Sequence, residues 1–417
     1  MQSPSSSRPG TTRRITRASA EARLATAGRR EANAGAVLRA VLAHGPVARS
    51  TIARLTGLSP ASMTGHCTDL IALGLLRDLP EQTRSNGLGR PHLPVDIDTA
   101  RHVVGAVHIA VPHVTVAVLD LRGRVLTSRR IPHEATSAAD TVRSAARHLL
   151  DLLRAHAEGA VPLGIGVACG GWVDQDTSTV VEHAMLGWKQ VRVGDLLGEC
   201  TGLPVYVDGH ARALLHGERL FGAARGVGSV LYLFVGNVVE AAFALEDAAH
   251  YGPRSQAGVI AHLPLADSAE PCPCGRTGCF QASVSERTLA LRAGKIGIAA
   301  AGDFEALLTA ARTGNAAALG LLVERARLVG QGAAMLIDVF NPELVVVAEP
   351  AVRTLPSALA ALRAEIASSS RIRIDTATRV GPSSFPGFTL AAAAGSAILD
   401  ALYRNPLTVT PPSPRRP

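Results

Sequence analysis

Aromatic residues are scarce: Phe, Trp and Tyr make up 3% of the 417 residues. That argues against nucleic-acid modules that stack bases on aromatic rings. No run of 18 apolar residues occurs. The best stretch, Leu390–Leu399, stops at Asp400, so no membrane span is expected. Six cysteines are too few for a disulfide framework in a chain of this length. A hydrophobic signal-peptide core is also lacking, and the cytoplasm is the expected compartment. Acidic residues fall short of basic ones by eight, and the shortfall is local. Residues 1–94 hold 13 Lys and Arg against 5 Asp and Glu, whereas residues 95–417 hold 29 of each. The excess points to an anionic partner at the front of the chain, with nucleic acid the first candidate. A basic tail on an unrelated body fits the same charges.

What is present is ample apolar material, 47% of residues, and length for two or three domains of roughly 150 residues each. Residues 1–32 carry seven Arg and two Glu among Ser, Ala and Thr, and read as a disordered basic arm. Such a composition also suits an organellar transit peptide, but the segment that follows looks like a DNA reader.

Residues 33–97 read as a winged helix-turn-helix. Val37, Leu38, Val41 and Leu42 recur at helical spacing until His44-Gly45-Pro46. A second short helix holds Ile52 and Leu55 and closes at Gly57. Ser59 suits an N-cap and Pro60 the first position of a third helix. Side chains near the start of that helix enter a major groove in this motif, so Ser59, Ala61, Ser62, Thr64, Gly65 and His66 are the candidate base and phosphate contacts. Leu75-Leu76 and Leu93–Ile97 would be the strands of a wing. Its Gly-rich loop presents Arg84 and Arg90, and Gly89-Arg90-Pro91 suits an Arg laid in a narrow minor groove. Arg49 and Arg54 are phosphate contacts or helix-surface charges.

Residues 100–403 alternate strands and helices, twice over. Val103–His108, Val114–Asp120 and Arg124–Ile131 read as strands, 137–157 as a helix, and Val161–Ala168 and Pro204–Val207 as strands. The second round has strands at Ser229–Val235, Ala241–Leu245, Glu343–Ala348 and Ile372–Thr376, with helices over 303–340, 354–367 and 389–403. This α/β pattern implies two lobes with a cleft between them. The first lobe spans about 100–207 plus the helix 389–403, the second about 208–388, and 404–417 is a disordered tail.

His262, Cys272, Cys274 and Cys279 form the one specific metal signal. Zinc takes four nitrogen or sulfur ligands in a tetrahedron, and four protein ligands leave no open position. One structural Zn(2+) per chain is expected, ordering the loop 262–281. Cys67, Cys169 and Cys200 read as buried small hydrophobes.

His262-x9-Cys272-Pro273-Cys274-Gly275-x2-Gly278-Cys279 is similar to the zinc motif of the ROK family of repressors, open reading frames and kinases. Asn341-Pro342-Glu343, Leu186-Gly187-Trp188 and Gly222-Ala223-Ala224-Arg225-Gly226 add to the resemblance, which covers about residues 33–403. It implies an actin-like, two-lobed fold of the sugar kinase/Hsp70 type. It also implies a cleft that binds a sugar or another small-molecule effector, a homodimer or tetramer, and a place in carbohydrate metabolism. The preceding winged helix-turn-helix implies a transcriptional regulator, a repressor, on a pseudo-palindromic double-stranded DNA operator.

The family's kinase groups are missing. Its first phosphate loop, Asp-x-Gly-Gly-Thr-like, corresponds to Val107-His108-Ile109-Ala110-Val111, where His108 replaces the acid and Ala110 the first glycine, and Pro112 then removes a backbone donor. Its second, Gly-Thr-Gly-rich, corresponds to Gly236-Asn237-Val238-Val239-Glu240. The Gly-Gly after the Asn-Pro strand is Ala348-Glu349, and the position of the catalytic Asp falls on His210. No catalytic residue is assigned and no enzyme activity is expected. By the same carry-over the effector positions are Met185, Gly209, His210, Val259, His262 and Gln281. The replacements point either to a less polar effector or to none. Two rival readings are a glucokinase-like sugar kinase fused to a DNA-binding domain, and a zinc-stapled scaffold that binds protein.

Overall fold

The computed structural model describes residues 17–80, 93–133, 137–156, 159–246, 248–265, 268–385 and 389–408. The chain divides into two compact units, one made of the N-terminal residues to Asp96 with the segment from Leu402, the other running from Ile97 to Ala401.

The first unit holds α1 (Arg17–His44), β1 (Val47–Ala48), α2 (Arg49–Thr56), α3 (Pro60–Ala72), β2 (Leu76–Asp78) and β3 (Pro94–Ile97). Ser59 caps α3, its Oγ accepting from the Ser62 N–H at 3.3 Å, and Pro60 takes the first turn, where no N–H is needed. Gly57 ends α2 in the left-handed conformation at φ +70°. Val37, Leu38, Val41, Ile52, Met63, Cys67 and Leu70 are buried together as the core. The sheet order β1-β3-β2 places the wing strands side by side. Three helices and two strands, at Leu76–Asp78 and Pro94–Ile97, are present in the region expected to hold a helix-turn-helix and wing. Arg84 and Arg90 lie outside the described residues.

Two boundaries differ from expectation. The arm is helical from Arg17 onward, because 17–32 is rich in Ala and Arg, which favour helix without needing an apolar stripe. The supposed tail is also structured up to Thr408. Pro406 is buried, the Leu407 N–H donates to Glu31 Oε1 at 3.2 Å, and Arg39 Nη1 donates to the Tyr403 carbonyl at 3.1 Å. Gly35 lets this segment close on α1: a Cβ there would lie 2.6 Å from the Arg404 carbonyl oxygen and 2.8 Å from that of Tyr403.

The second unit has two lobes, each built on a five-stranded sheet. In the first, β4 (His102–Ile109), β5 (His113–Asp120) and β6 (Val125–Pro132) form an antiparallel meander. α4 (Ala138–His156) leads to β7 (Val161–Cys169), parallel to β4. A small antiparallel sheet follows, β8 (Trp172–Asp174), β9 (Thr179–His183) and β10 (Trp188–Val191). Then come α5 (Val193–Thr201) and β11 (Val205–Gly209), which completes the order β11-β7-β4-β5-β6. α4 buries Val142, Ala145, Ala146, Leu149, Leu152 and Leu153 on β4 and β5, its 3.6-residue period made visible.

α6 (His210–Phe221) leaves β11 and packs on the second sheet. That sheet has the order β14-β13-β12-β15-β16, from β12 (Ser229–Val235), β13 (Val239–Leu245), β14 (Ala248–Ala249), β15 (Leu344–Ala348) and β16 (Val380–Pro382). Covering it are α7 (Phe280–Val284), α8 (Glu286–Lys295), α9 (Phe304–Arg312), α10 (Ala316–Phe340), α11 (Pro350–Thr354), α12 (Pro356–Ser369) and α13 (Thr376–Arg379). The last helix, α14 (Thr389–Arg404), returns to the first-lobe sheet, where Gly166 and Gly395 permit contact with Ala394 and Leu119. Ile372–Thr376 is not a strand. Asp375 instead caps α13, accepting from the Ala377 N–H at 3.0 Å and from Thr378 Oγ1 at 2.8 Å, and the strand starts at Val380. No single described helix is long and apolar enough to cross a membrane.

Candidate DNA interface, metal centre and cleft

α3 turns Ala61, Thr64 and Gly65 to solvent, with Ser62 half-buried beside them. Gly65 has open space where a Cβ would stand, so its backbone can approach a groove closely. Ser59 is exposed but already committed as a cap. His66 does not belong to this face: it is 7% exposed, and burial lowers its pKa. The helical period carries it round to Cys67 and Leu70, and the exposed Thr68 takes the outer position one turn beyond Thr64. Arg49 is tied to Asp78 at 2.8 Å, whereas Arg54 is exposed.

The metal-type loop runs between Ile260 and α7. The ligand atoms of His262, Cys272, Cys274 and Cys279 all lie within 4.8 Å of one another. His262 Nδ1 is 3.5 Å from Cys272 Sγ, and the Cys274 and Cys279 sulfurs are 3.6 Å apart. A tetrahedron with metal–sulfur bonds of about 2.3 Å and metal–nitrogen bonds of about 2.0 Å needs edges of roughly 3.5–3.8 Å. The loop's glycines are part of the geometry: Gly275 and Gly278 have φ of +87° and +69°, and a Cβ at Gly278 would collide with the Ser268 carbonyl. Cys272 N–H donates to the Arg276 carbonyl at 2.8 Å, closing the turn. The Arg276 side chain lowers Cys274 to about 6, toward the thiolate that binds metal. Cys67 and Cys169 are buried as expected, but Cys200 is exposed.

Between the two lobes lies a cleft of about 450 Å³. Val111, Phe234, Val238, Leu308, Val347 and Phe385 supply apolar wall. His108 and His210 stack on its first-lobe side with ring centroids 4.6 Å apart. Burial drives both toward the neutral form, His108 well below the usual range and His210 to about 3. Across the cleft, Glu349 is 3% exposed and paired with the fully buried Arg325. Arg325 also donates to the carbonyls of Val284, at 2.7 Å, and Val235, at 3.3 Å, and the Val352 N–H donates to the second Glu349 oxygen at 2.5 Å. Ala348-Glu349, where the family has Gly-Gly, is thus filled by a carboxylate with all its partners internal.

Of the effector positions, Met185 and His210 line this cleft. Gly209 sits just behind, as the N-cap of α6. Val259 is 65% exposed and does not line the cleft. Gln281 is turned to structure, its Oε1 accepting from the Val239 N–H at 3.0 Å. His262 belongs to the cysteine cluster. Behind the cleft floor, Asp208 accepts from Arg212 Nε at 2.5 Å and lies 3.4 Å from His216, which is in turn 3.2 Å from Asp400 on α14. Burial disfavours a charged His216, but Asp400 and Asp208 outweigh it and push its pKa up to about 9. Periodicity carries no signal for this network as a whole, since its members come from three elements, β11, α6 and α14.

Residues 104–383 match the ROK family. The transcriptional regulator Rv0485 of Mycobacterium tuberculosis is 33% identical over 90% of this chain and 86% of its own length. The xylose repressor of Bacillus subtilis is 21% identical over 89% of this chain and 96% of its own. Among solved structures, a ROK family transcriptional regulator homologous to the E. coli MLC protein superposes with a TM-score of 0.75 at 21% identity, covering 91% of this chain and 98% of that one. A ROK glucokinase from Streptomyces griseus reaches 0.62 at 22% identity, over 71% of this chain and 98% of that one. The actin-like ROK fold accounts for both sheets, and the regulator match covers more of this chain than the glucokinase match does. The chain belongs to the ROK family, and over nearly its whole length its likeness is to the family's transcriptional regulators.

Proposed function

We propose that this chain is a DNA-binding transcriptional repressor of the cytoplasm whose ROK domain does not phosphorylate sugars. The observation that carries the reading is the pairing of an exposed recognition face with a plugged phosphate site. Ala61, Thr64 and Gly65 are presented on a capped helix, while Ala348-Glu349, its carboxylate held by Arg325, stands in place of the Gly-Gly after the Asn-Pro strand. Glu349 occupies that space with Arg325 already committed to it, and His210 stands where a proton-accepting Asp is needed. Ser62, Thr64 and Gly65 from α3, with Arg84 and Arg90 from the wing, are the proposed DNA contacts. A homodimer or tetramer would present two such helices to a pseudo-palindrome with half-sites about one turn apart.

The test is selection of bound duplexes from a random pool with the full-length protein. Enrichment of a dyad is expected; a pool that stays random overturns the reading. Incubation with ATP and a panel of sugars should yield no sugar phosphate, and turnover above background would restore the kinase reading. The four-ligand cluster would hold one structural zinc, and metal analysis should give about one zinc per chain. Its apolar wall suits the cleft to an effector less polar than a sugar phosphate. A thermal-shift screen checks this, because a ligand of the folded state raises the melting temperature.

A further inference from the structure

Glu240 is the second residue of β13 in the second lobe, just after the turn that follows β12. Its carboxylate reaches across to the first lobe. Oε1 accepts from the Gly171 N–H at 2.8 Å and Oε2 from the Ala211 N–H at 3.3 Å. Gly171 follows β7, and Ala211 stands in the first turn of α6, directly after β11. The first N–H groups of a helix have no acceptor within it, and the positive end of its dipole favours an anion. Gly171 has φ of +81°, and a Cβ there would collide with the Glu182 carbonyl, so its N–H stays unshielded only as glycine. The titratable and charged groups facing the carboxylate are Arg212, Asp208 and Cys169. Burial raises its pKa to about 7, against the pull of the two N–H groups and Arg212.

A half-buried carboxylate is costly unless its oxygens are satisfied. Here both are satisfied, one by the Gly171 N–H of the other lobe and one by the Ala211 N–H at the start of α6, the helix that leaves the first-lobe sheet at β11. An apolar side chain at 240 would leave those donors unpaired. We propose that Glu240 is a tethered ligand: its carboxylate fills an anion-binding corner made by Gly171 and the start of α6, and straps the two lobes together without a bound effector. Emptied of Glu240, the corner takes a small free carboxylate. The strap stands on the ROK domain's own geometry and does not depend on DNA binding.

Full-length Glu240→Ala is expected to melt about 3–6 °C below the parent, from the loss of two charge-assisted hydrogen bonds. Sodium formate at tens of millimolar should recover part of that loss, and the parent should not respond. Sodium chloride at equal ionic strength and uncharged formamide should recover none of it. A variant that melts with the parent, or that responds alike to formate and formamide, overturns the proposal. If Glu240→Ala does not fold, Glu240→Gln gives the readout, since it keeps an acceptor but no charge. A larger radius of gyration by small-angle scattering is then expected, and a Gln variant as compact and as stable as the parent overturns the proposal.

Discussion

Gly35 sets two effects against each other. In the interior of α1 a glycine costs about 1 kcal/mol relative to alanine. Its missing Cβ, however, is what lets the Tyr403 and Arg404 carbonyls approach within 2.8 Å of that position. Both obstacles are backbone atoms and cannot turn aside. Gly35→Ala is therefore expected to destabilise the DNA-reading unit by about 1–2 kcal/mol, overpacking outweighing propensity. Thermal melts decide it, since a rise in melting temperature would mean that propensity alone governs. Arg325 offers a second contest. Replacing it with Met leaves Glu349 buried with its charge partner gone, which costs about 3–5 kcal/mol. The double variant Arg325→Met, Glu349→Gln removes both charges and should recover most of that loss in urea denaturation. If it recovers nothing, Arg325 acts through its bonds to Val284 and Val235 and not through Glu349.

Among elements, α6 and α14 are joined by His216 and Asp400. An unfolded histidine titrates near 6.5, whereas folded His216 titrates at about 9, so the folded state holds the proton more tightly. Its contribution to stability is full below about pH 6.5 and is lost as pH rises through about 9. Asp400→Asn should shrink that slope, read as the difference between parent and variant melts across the window. An unchanged slope would place the proton elsewhere. What the sequence made legible follows local rules. Ser59-Pro60 marked the start of α3, the stripe from Val142 to Leu153 marked α4, and Cys-x-Cys-Gly-x-x-Gly-Cys marked the metal loop with its two left-handed glycines. The rest depended on what lay far along the chain. His66 falls inward because of the core it meets, the strands of the small sheet are only three to five residues long, and Asp375 could equally have begun a strand or capped a turn. Glu240 and Gly171 are 69 residues apart, and no period links them.

At the scale of the whole molecule, charge is segregated: the basic excess lies in residues 1–94 and the remainder is balanced. Electrostatic binding to DNA releases counterions in proportion to the phosphates neutralised, and the slope of log K against log salt is about −0.9 per contact. The slope should therefore answer to the first 94 residues alone. Arg90→Ala, if the wing lies in a minor groove, is expected to weaken binding and flatten the slope by about 0.9 per protomer. Arg292, paired with Glu324 at 2.9 Å on the ROK domain, is the matched control. Its Gln variant should leave affinity and slope unchanged. Gel-shift or anisotropy titrations on the selected duplex, from about 50 to 200 mM salt, make the comparison. Equal slopes for the parent and Arg90→Ala would move the phosphate contacts off the wing and onto exposed helix cations such as Arg54. A slope that answered to Arg292 would mean that the balanced body, too, meets the DNA.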